Sequence, residues 1–266
     1  MKWREAMLTL ETIEVTKEKS ICRICLNQPK SLNAVNSLML NDLNKAMDMI
    51  ETDADIKVVI IHGQGKAFMA GGDIKEMMKM SDEEASQFVR DGNAVYTRMA
   101  NLKQPVIAAM HGFALGGGLE LALTCDIRIS DKDIKLGFPE VGLGIIPGYG
   151  GTQRASRLIG NGQTKRLVLT GEIVDGQEGY RLGLIEKLVE PDQILDEAEK
   201  IAQKISRNAP LAIEKAKESI NFGSDMPLQE GLTYENNKVI ELFSTQDRKE
   251  GMTAFVEKRK AEFKRK

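Results

Sequence analysis

The sequence predicts an α/β fold with a helical C-terminal extension, and three observations predict it. Over roughly residues 55–190, strand-like runs alternate with segments of helical period, joined by short connections. Runs such as Val58-Val59-Ile60-Ile61 are continuously apolar, as expected of strands buried on both faces. From about Pro191 onward helical spacing takes over and strand signals almost vanish. The division this suggests is a main body over 1–190 and a helical region over 191–266, placed for packing on the main body or on another subunit.

Taken in order, residues 8–27 read as a hairpin: one strand over 8–15, a turn at 17–20 and a return strand over 21–26. Leu38, Leu40, Leu43, Met47 and Ile50 recur at helical spacing and predict a helix over 36–51. The apolar run at 58–61 is the next strand. After a loop, 73–80 has helical character, and Ser81-Asp82-Glu83-Glu84 reads as the cap of a further helix reaching about residue 102. Residues 105–110 form a second buried strand, 115–124 a helix opened by a glycine triplet, and 126–130 a third strand. The turns follow strand-like runs as in a coiled β-β-α arrangement, although no strict sequence repeat is present. The last part reads as helices over 194–206, 210–221, 228–244 and 247–264.

Bulk properties narrow the function. The 266 residues carry 42% hydrophobic and 29% charged side chains, ordinary values for a globular chain, with a net charge of −2. No basic field is available to attract nucleic acid or an anionic membrane. No apolar run approaches the ~18–20 residues of a membrane span. The first seven residues lack a signal-peptide core, so a cytoplasmic location is expected. Cys22 and Cys25 are spaced as C-x-x-C, but on a strand positions three apart face opposite ways, and no second pair completes a zinc site. Cys125 reads as a small buried hydrophobe. His62 and His111, the two histidines, have no sequence partners for a metal site or a triad.

The chemistry is concentrated in glycine-rich stretches. Gly116-Gly117-Gly118-Leu119-Glu120 holds one glutamate, and Gly137-Phe138-Pro139-Glu140 holds another, followed by a glycine-rich run over 142–151. A third such turn spans Lys66-Ala67-Phe68-Met69-Ala70-Gly71-Gly72-Asp73. Glycine lets a ligand approach the backbone and leaves N–H groups free to donate. Two carboxylates beside such donors can move a proton next to a carbonyl whose oxygen becomes negative. That combination predicts an enzyme.

On these stretches, together with Asn27-Gln28-Pro29-Lys30-Ser31-Leu32-Asn33-Ala34 and the run from Pro139-Glu140 to Arg154, the chain resembles the crotonase family, also called the enoyl-CoA hydratase/isomerase superfamily. Within it the chain looks like a short-chain enoyl-CoA hydratase. The matches are ordered and span nearly the whole chain. The resemblance implies a crotonase-like spiral of β-β-α turns with a helical C-terminal extension. It also implies trimers or dimers of trimers, and acyl thioesters of coenzyme A as substrates, with no metal or separate cofactor. It assigns the oxyanion-hole donors to the N–H groups of Gly72 and Gly117, and gives Gly148 a possible N–H contact to water. Glu120 would orient and activate the water, and Glu140 would exchange the proton at the α-carbon. Coenzyme A would run past Lys30, Ser31 and Leu32 and along Lys66, Ala70, Gly71, Asp73 and Ile74. Lys30 and Lys66 read equally well as solvated surface lysines, and Asp73 and Glu76 as a helix start. The basic tail, Lys258-Arg259-Lys260 and Lys264-Arg265-Lys266, could reach a nucleotide phosphate, or simply close a helix C-terminus. Met77, Met78 and Met80 suggest a flexible acyl pocket or ordinary core packing. Phe138 and Tyr149 depart from the family's commoner residues, which leaves open a specialised lyase or isomerase acting on branched, aromatic or dienoyl thioesters. An RNA-binding family member is the non-enzyme alternative, disfavoured by the acidic composition.

Overall fold

The structure, a computed structural model, describes residues 6–266. The hairpin is a three-stranded unit, β1 (Ala6–Thr9), β2 (Ile13–Glu18) and β3 (Ile21–Leu26). The single strand expected over 8–15 is broken because Leu10 N donates to Ile13 O at 3.0 Å, closing a turn. That turn is pinned from outside: Thr12 N and Oγ1 both donate to Asp42 Oδ2, at 3.1 and 2.9 Å, in a buried setting. Asp42 lies on α1 (Ser37–Thr52), whose N-cap Asn36 accepts from Met39 N at 2.8 Å. Then come β4 (Val58–Gly63), a single turn α2 (Ile74–Met77) and α3 (Asp82–Ala100), which Ser81 and Glu84 open with a full capping box.

The next stretch holds β5 (Val106–Ala109), β6 (Phe113–Leu115), α4 (Gly117–Ala122), β7 (Ile127–Ser130) and β8 (Lys135–Gly137). It is followed by α5 (Gly151–Thr170), β9 (Ile173–Val174), α6 (Gly176–Leu182) and β10 (Lys187–Leu188). Leu115, expected in the helix, ends a strand instead, and Gly116 caps α4. One sheet has the order β1-β2-β3-β4-β5-β7-β10, parallel from β3 onward. A second sheet, β6-β8-β9, lies in the other layer, and parallel bridges Val35–Gly72 and Met69–Ala114 extend it towards the N-terminus. Each turn of the chain therefore contributes a strand or bridge to both layers before its helix, the β-β-α spiral that the resemblance implied.

Period-two alternation sorts the core. Cys22, Ile24, Val59, Ile61 and Ala108 face the large cluster between the layers, with α1 and α3. Ile21, Val58, Ile60, Ile107 and Ile129 face the other side, where Ile194, Ala198 and Ala202 cover them. Those three residues form one stripe, at four-residue spacing, of α7 (Ile194–Ser206). α7 is thus part of the main body's packing, although it lies beyond the division expected at 190. The later helices, α8 (Pro210–Gly223), α9 (Leu228–Phe243) and α10 (Gln246–Val256), bury little: α9 has no buried residue. The helix expected over 247–264 stops at Val256. Lys258 takes φ +55°, and the chain folds back so that Lys264 N and Arg265 N donate to the buried Asp247 carboxylate at 2.7 and 2.9 Å.

Cys22 and Cys25 point to opposite faces of the sheet, as expected. Burial pushes the Cys22 thiol up to about 12 and Cys25 up to about 11, and both stay protonated. Among the described residues no helix is long and apolar enough to cross a membrane.

Candidate active site

Glu120 is delivered by α4, in the helix's first turn. Its side chain is 1% exposed. The carboxylate does not pair with a surface cation. Its Oε1 accepts from Tyr149 N at 2.8 Å and Gly151 N at 2.7 Å. Gly151 is the first residue of α5, so the carboxylate occupies the end of that 20-residue helix where free N–H groups and the dipole favour an anion. Burial raises the Glu120 pKa, while the N–H groups of Gly151 and Tyr149, the charge of Arg154 and the N–H of Gly148 pull it down.

Glu140 sits in a short 3-10 turn, Pro139–Leu143, that leaves β8. Proline at the first position suits such a turn because its missing N–H would be unpaired there. The Glu140 carboxyl faces Gly116, whose φ of +49° and ψ of −123° suit glycine alone. A Cβ at Gly116 would lie 2.7 Å from Glu140 Oε1. Glu140 Oε2 is buried with no hydrogen-bond partner among the described residues. Burial, and then the nearby charge of Glu120, push the Glu140 pKa up to about 7. On balance both pKa values are raised, but the surroundings differ: Glu120 Oε1 receives backbone donors that favour its anion, whereas Glu140 is shifted up to about 7.

Both open into one cavity with a largely apolar lining, the usual character of a small-molecule site. Gly72, Gly117, Gly148, Ala70, Gly71 and Ile74 line it with them. Two backbone features matter here. Val35 N donates to Gly71 O and Asp73 N donates to Val35 O, both at 2.8 Å. In such a parallel bridge the N–H of the intervening Gly72 points away from Val35. Gly117 is the first residue of α4, so its N–H has no acceptor within the helix. Tyr96, fully buried on α3, donates its hydroxyl to Gly117 O at 3.0 Å and holds the peptide that follows Gly117. The remaining wall is apolar: Met77, Phe88, Val89, Leu143, Ile145, Ile146 and the Tyr149 ring.

Not every expected residue reaches this wall. Lys30, Ser31, Leu32, Lys66 and Asp73 do not line it. Lys30 and Lys66 are exposed. Leu32 is tied to the site's edge, since its carbonyl accepts from Ala70 N at 3.0 Å. The Asp73 carboxylate caps α2 by accepting from Lys75 N and Glu76 N. Of the methionines, Met77 lines the cavity, Met80 packs on the core and Met78 is 81% exposed. The Phe138 ring is fully buried against Gly151, where the Glu120 side chain also packs, so its apolar surface bears on Glu120. His111 Nε2 is 3.0 Å from Gly65 O, a loop contact outside the cavity wall. In the tail, Arg259 pairs with Glu250 at 2.6 Å and Arg265 with Glu214 at 3.0 Å.

Sequence reasoning did not single out the N–H groups of Tyr149 and Gly151, the backing glycine Gly116, or Asn33. The Asn33 amide, fully buried, donates to Gln64 O, Ala67 O and Phe68 O at 2.8–3.2 Å and accepts from Gln28 N, tying the two expected coenzyme-binding loops together. A left-handed asparagine inside a loop is the signal that could have marked it.

Two carboxyls in different surroundings beside the Gly72 and Gly117 N–H groups, which have no partner among the described residues, can exchange protons with carbons next to a carbonyl while its oxygen is stabilised as an anion. Comparison with known proteins agrees in class. The sequence family described as Enoyl-CoA hydratase/isomerase matches residues 16–266. A short-chain-enoyl-CoA hydratase of Clostridium acetobutylicum is 45% identical, over 96% of this chain and 98% of its own. A crotonyl-CoA hydratase of Syntrophomonas wolfei is 42% identical over 96% of this chain and 99% of its own. The crystal structure of an enoyl-CoA hydratase from Bacillus anthracis superposes with a TM-score of 0.94 at 39% identity, over 96% of this chain and 100% of that one. The chain belongs to the enoyl-CoA hydratase/isomerase family.

Proposed function

We propose that this chain is an enoyl-CoA hydratase, adding water reversibly and syn to a trans-2-enoyl thioester of coenzyme A to give the 3-hydroxyacyl thioester. The observation that carries this reading is the unequal pair of carboxyls on one cavity with the Gly72 and Gly117 N–H groups. The thioester oxygen would accept from those two N–H groups. Glu120, ionised, takes a proton from water as its oxygen bonds to the β-carbon, and the alkene π electrons move onto the thioester as an enolate. Glu140, protonated, gives its proton to the α-carbon as the enolate collapses. Water's hydroxyl ends on the β-carbon and the Glu140 proton on the α-carbon, while water's second proton stays on Glu120. The enzyme is left with the proton on Glu120 in place of Glu140, and exchange between the pair restores it. The Gly148 N–H would hold the water. Loss of one oxyanion donor in such chemistry costs roughly 10²–10³ in rate.

Hydration is redox-neutral, and the proposed enolate is met by backbone donors, so the reaction is written without metal or separate cofactor; coenzyme A enters with the substrate. The apolar wall fits a hydrocarbon chain. Coenzyme A is proposed to pass Lys30, Ser31, Leu32 and Lys66 on its way to Ala70, Gly71 and Ile74. A cytoplasmic setting and a trimer or dimer of trimers complete the proposal. The assembly has support in the exposed apolar side chains of α8–α10, among them Ile220, Leu228, Ile240, Phe255 and Val256. The test is loss of the conjugated-enoyl absorbance when the protein meets crotonyl-CoA, with Glu140→Gln as control. Rapid loss that the variant lacks supports the reading. Tight binding without loss would favour a lyase or isomerase of the same family.

A further inference from the structure

Glu120 owes its position to two backbone N–H groups, so whatever holds the 149–151 turn controls the base. Arg154 holds it. Its Nη1 donates to Tyr149 O at 2.7 Å, and its Nη2 reaches Thr97 Oγ1 on α3 at 3.4 Å. The guanidinium lies directly over Gly150: a Cβ there would stand 2.1 Å from Nη1, and Gly150 already takes φ +103°. Arg154 N also donates to Gly150 O at 2.8 Å, so one residue grips the turn through both backbone and side chain. The placement is costly for the helix itself. Arg154 is the fourth residue of α5, where a cation opposes the dipole. Helix stability alone therefore gives no reason for a cation at this position.

We propose that Arg154 is a positioning residue for the proton-transfer step: clamped between the Tyr149 carbonyl and the Thr97 hydroxyl, it keeps the Tyr149 and Gly151 N–H groups converged on Glu120 Oε1 and supplies that carboxylate with a counter-charge. The inference rests on the hydratase reading above. The titratable groups facing Glu120 are Arg154 from α5, Tyr149 from the turn, Tyr96 from α3 and Glu140 from the 139–143 turn. Tyr149, Tyr96 and Glu140 add no positive charge, so removing Arg154 leaves Glu120 with backbone dipoles alone against burial. The guanidinium is itself held below its ordinary value by burial, offset by Glu120 and Tyr96. A planar fork suits this double grip; a lysine keeps the charge but makes a single, movable contact.

The experiment is steady-state hydration of crotonyl-CoA across pH by wild type, Arg154→Gln, Arg154→Lys and the milder Thr97→Ala, with Glu120→Gln assayed alongside. For Arg154→Gln the expected result is a kcat lower by about 10- to 100-fold with KM changed by no more than about threefold. The acid limb of kcat/KM should move upward by about one pH unit. Millimolar guanidinium should restore part of the rate. Arg154→Lys should keep the wild-type acid limb at a reduced kcat, and Thr97→Ala should lose a few-fold in kcat without a pH shift. If Arg154→Gln does not fold, the Arg154→Lys and Thr97→Ala pattern still decides: wild-type kcat in both overturns the proposal. An unmoved acid limb in a folded Arg154→Gln, with activity lost only in step with thermal stability, also overturns it. Those failures leave the hydratase reading intact so long as wild type hydrates and Glu120→Gln does not. A wild type that hydrates nothing overturns both.

Discussion

Replacing Gly116 by alanine tests whether Glu140 is held where it must act. Gly116 has φ +49° and ψ −123°, a conformation that costs a residue with a side chain about 1–3 kcal/mol. The new methyl would stand 2.7 Å from Glu140 Oε1 and 3.2 Å from its carboxyl carbon. Ordinary contact begins near 3.4 Å, so the carboxyl must retreat by roughly 0.7 Å. A misplacement of about 1 Å can cost about 10² in rate, so the expected loss in kcat is about 10- to 100-fold. KM should change less than kcat, because the added methyl meets the Glu140 carboxyl and leaves the Gly72 N–H and the apolar wall untouched. Gly142→Ala is the matched control: it lies in the same 3-10 turn, but an added Cβ would have nothing within 4 Å. The assay is crotonyl-CoA hydration, with urea denaturation run in parallel. A folded Gly116→Ala enzyme with kcat within about threefold of wild type would refute the claim that this contact positions the acid.

Three further outcomes follow from the same geometry. Because the reaction in either direction uses the singly protonated pair, kcat/KM should be bell-shaped, with its alkaline limb near the Glu140 pKa of about 7, the same for hydration and dehydration; pH profiles in both directions check this. Glu140 binds its proton more tightly in the folded protein than in the unfolded chain, so its stabilising contribution is full below about pH 4 and is lost as pH rises through about 7. Glu140→Gln should therefore match wild type in stability at low pH and exceed it by up to about 3 kcal/mol at high pH, as read from urea midpoints. Asn33→Ala leaves three carbonyls and one N–H without their partner and puts alanine at φ +58°; it should cost about 3–5 kcal/mol in urea denaturation, and raise KM for crotonyl-CoA if the protein remains folded.

The readable parts of the sequence were those where a local rule acts on a long segment. The continuous apolar run at β4, the spaced leucines of α1 and the serine cap of α3 each announced an element that the fold contains. β6, β8, β9 and β10 are only two or three residues long, so neither alternation nor continuity had room to appear. α5 was obscured by Gly151, Gly160 and Gly162; Gly160 takes φ +77° and ψ +156° and kinks the helix. The final helix was overextended because its basic residues fit a helix end, whereas the buried Asp247 recaptures the chain through Lys264 and Arg265 N–H groups, a contact 17 and 18 residues away. At the site, both glutamates and the two glycine turns stood out because their residue types are rare in that pattern. The N–H groups that hold Glu120 were hidden for the opposite reason. Backbone donors carry no residue signature, and Arg154 acts on them through a carbonyl.

The central claim is that Glu120 and Glu140 act as one unit on a single water. A double-mutant cycle in crotonyl-CoA hydration tests it most directly. Glu120→Gln and Glu140→Gln should each lower kcat by at least about 10², and the double variant should be little worse than the poorer single one. Near-wild-type turnover in either single variant, or losses that simply multiply in the double variant, would contradict it.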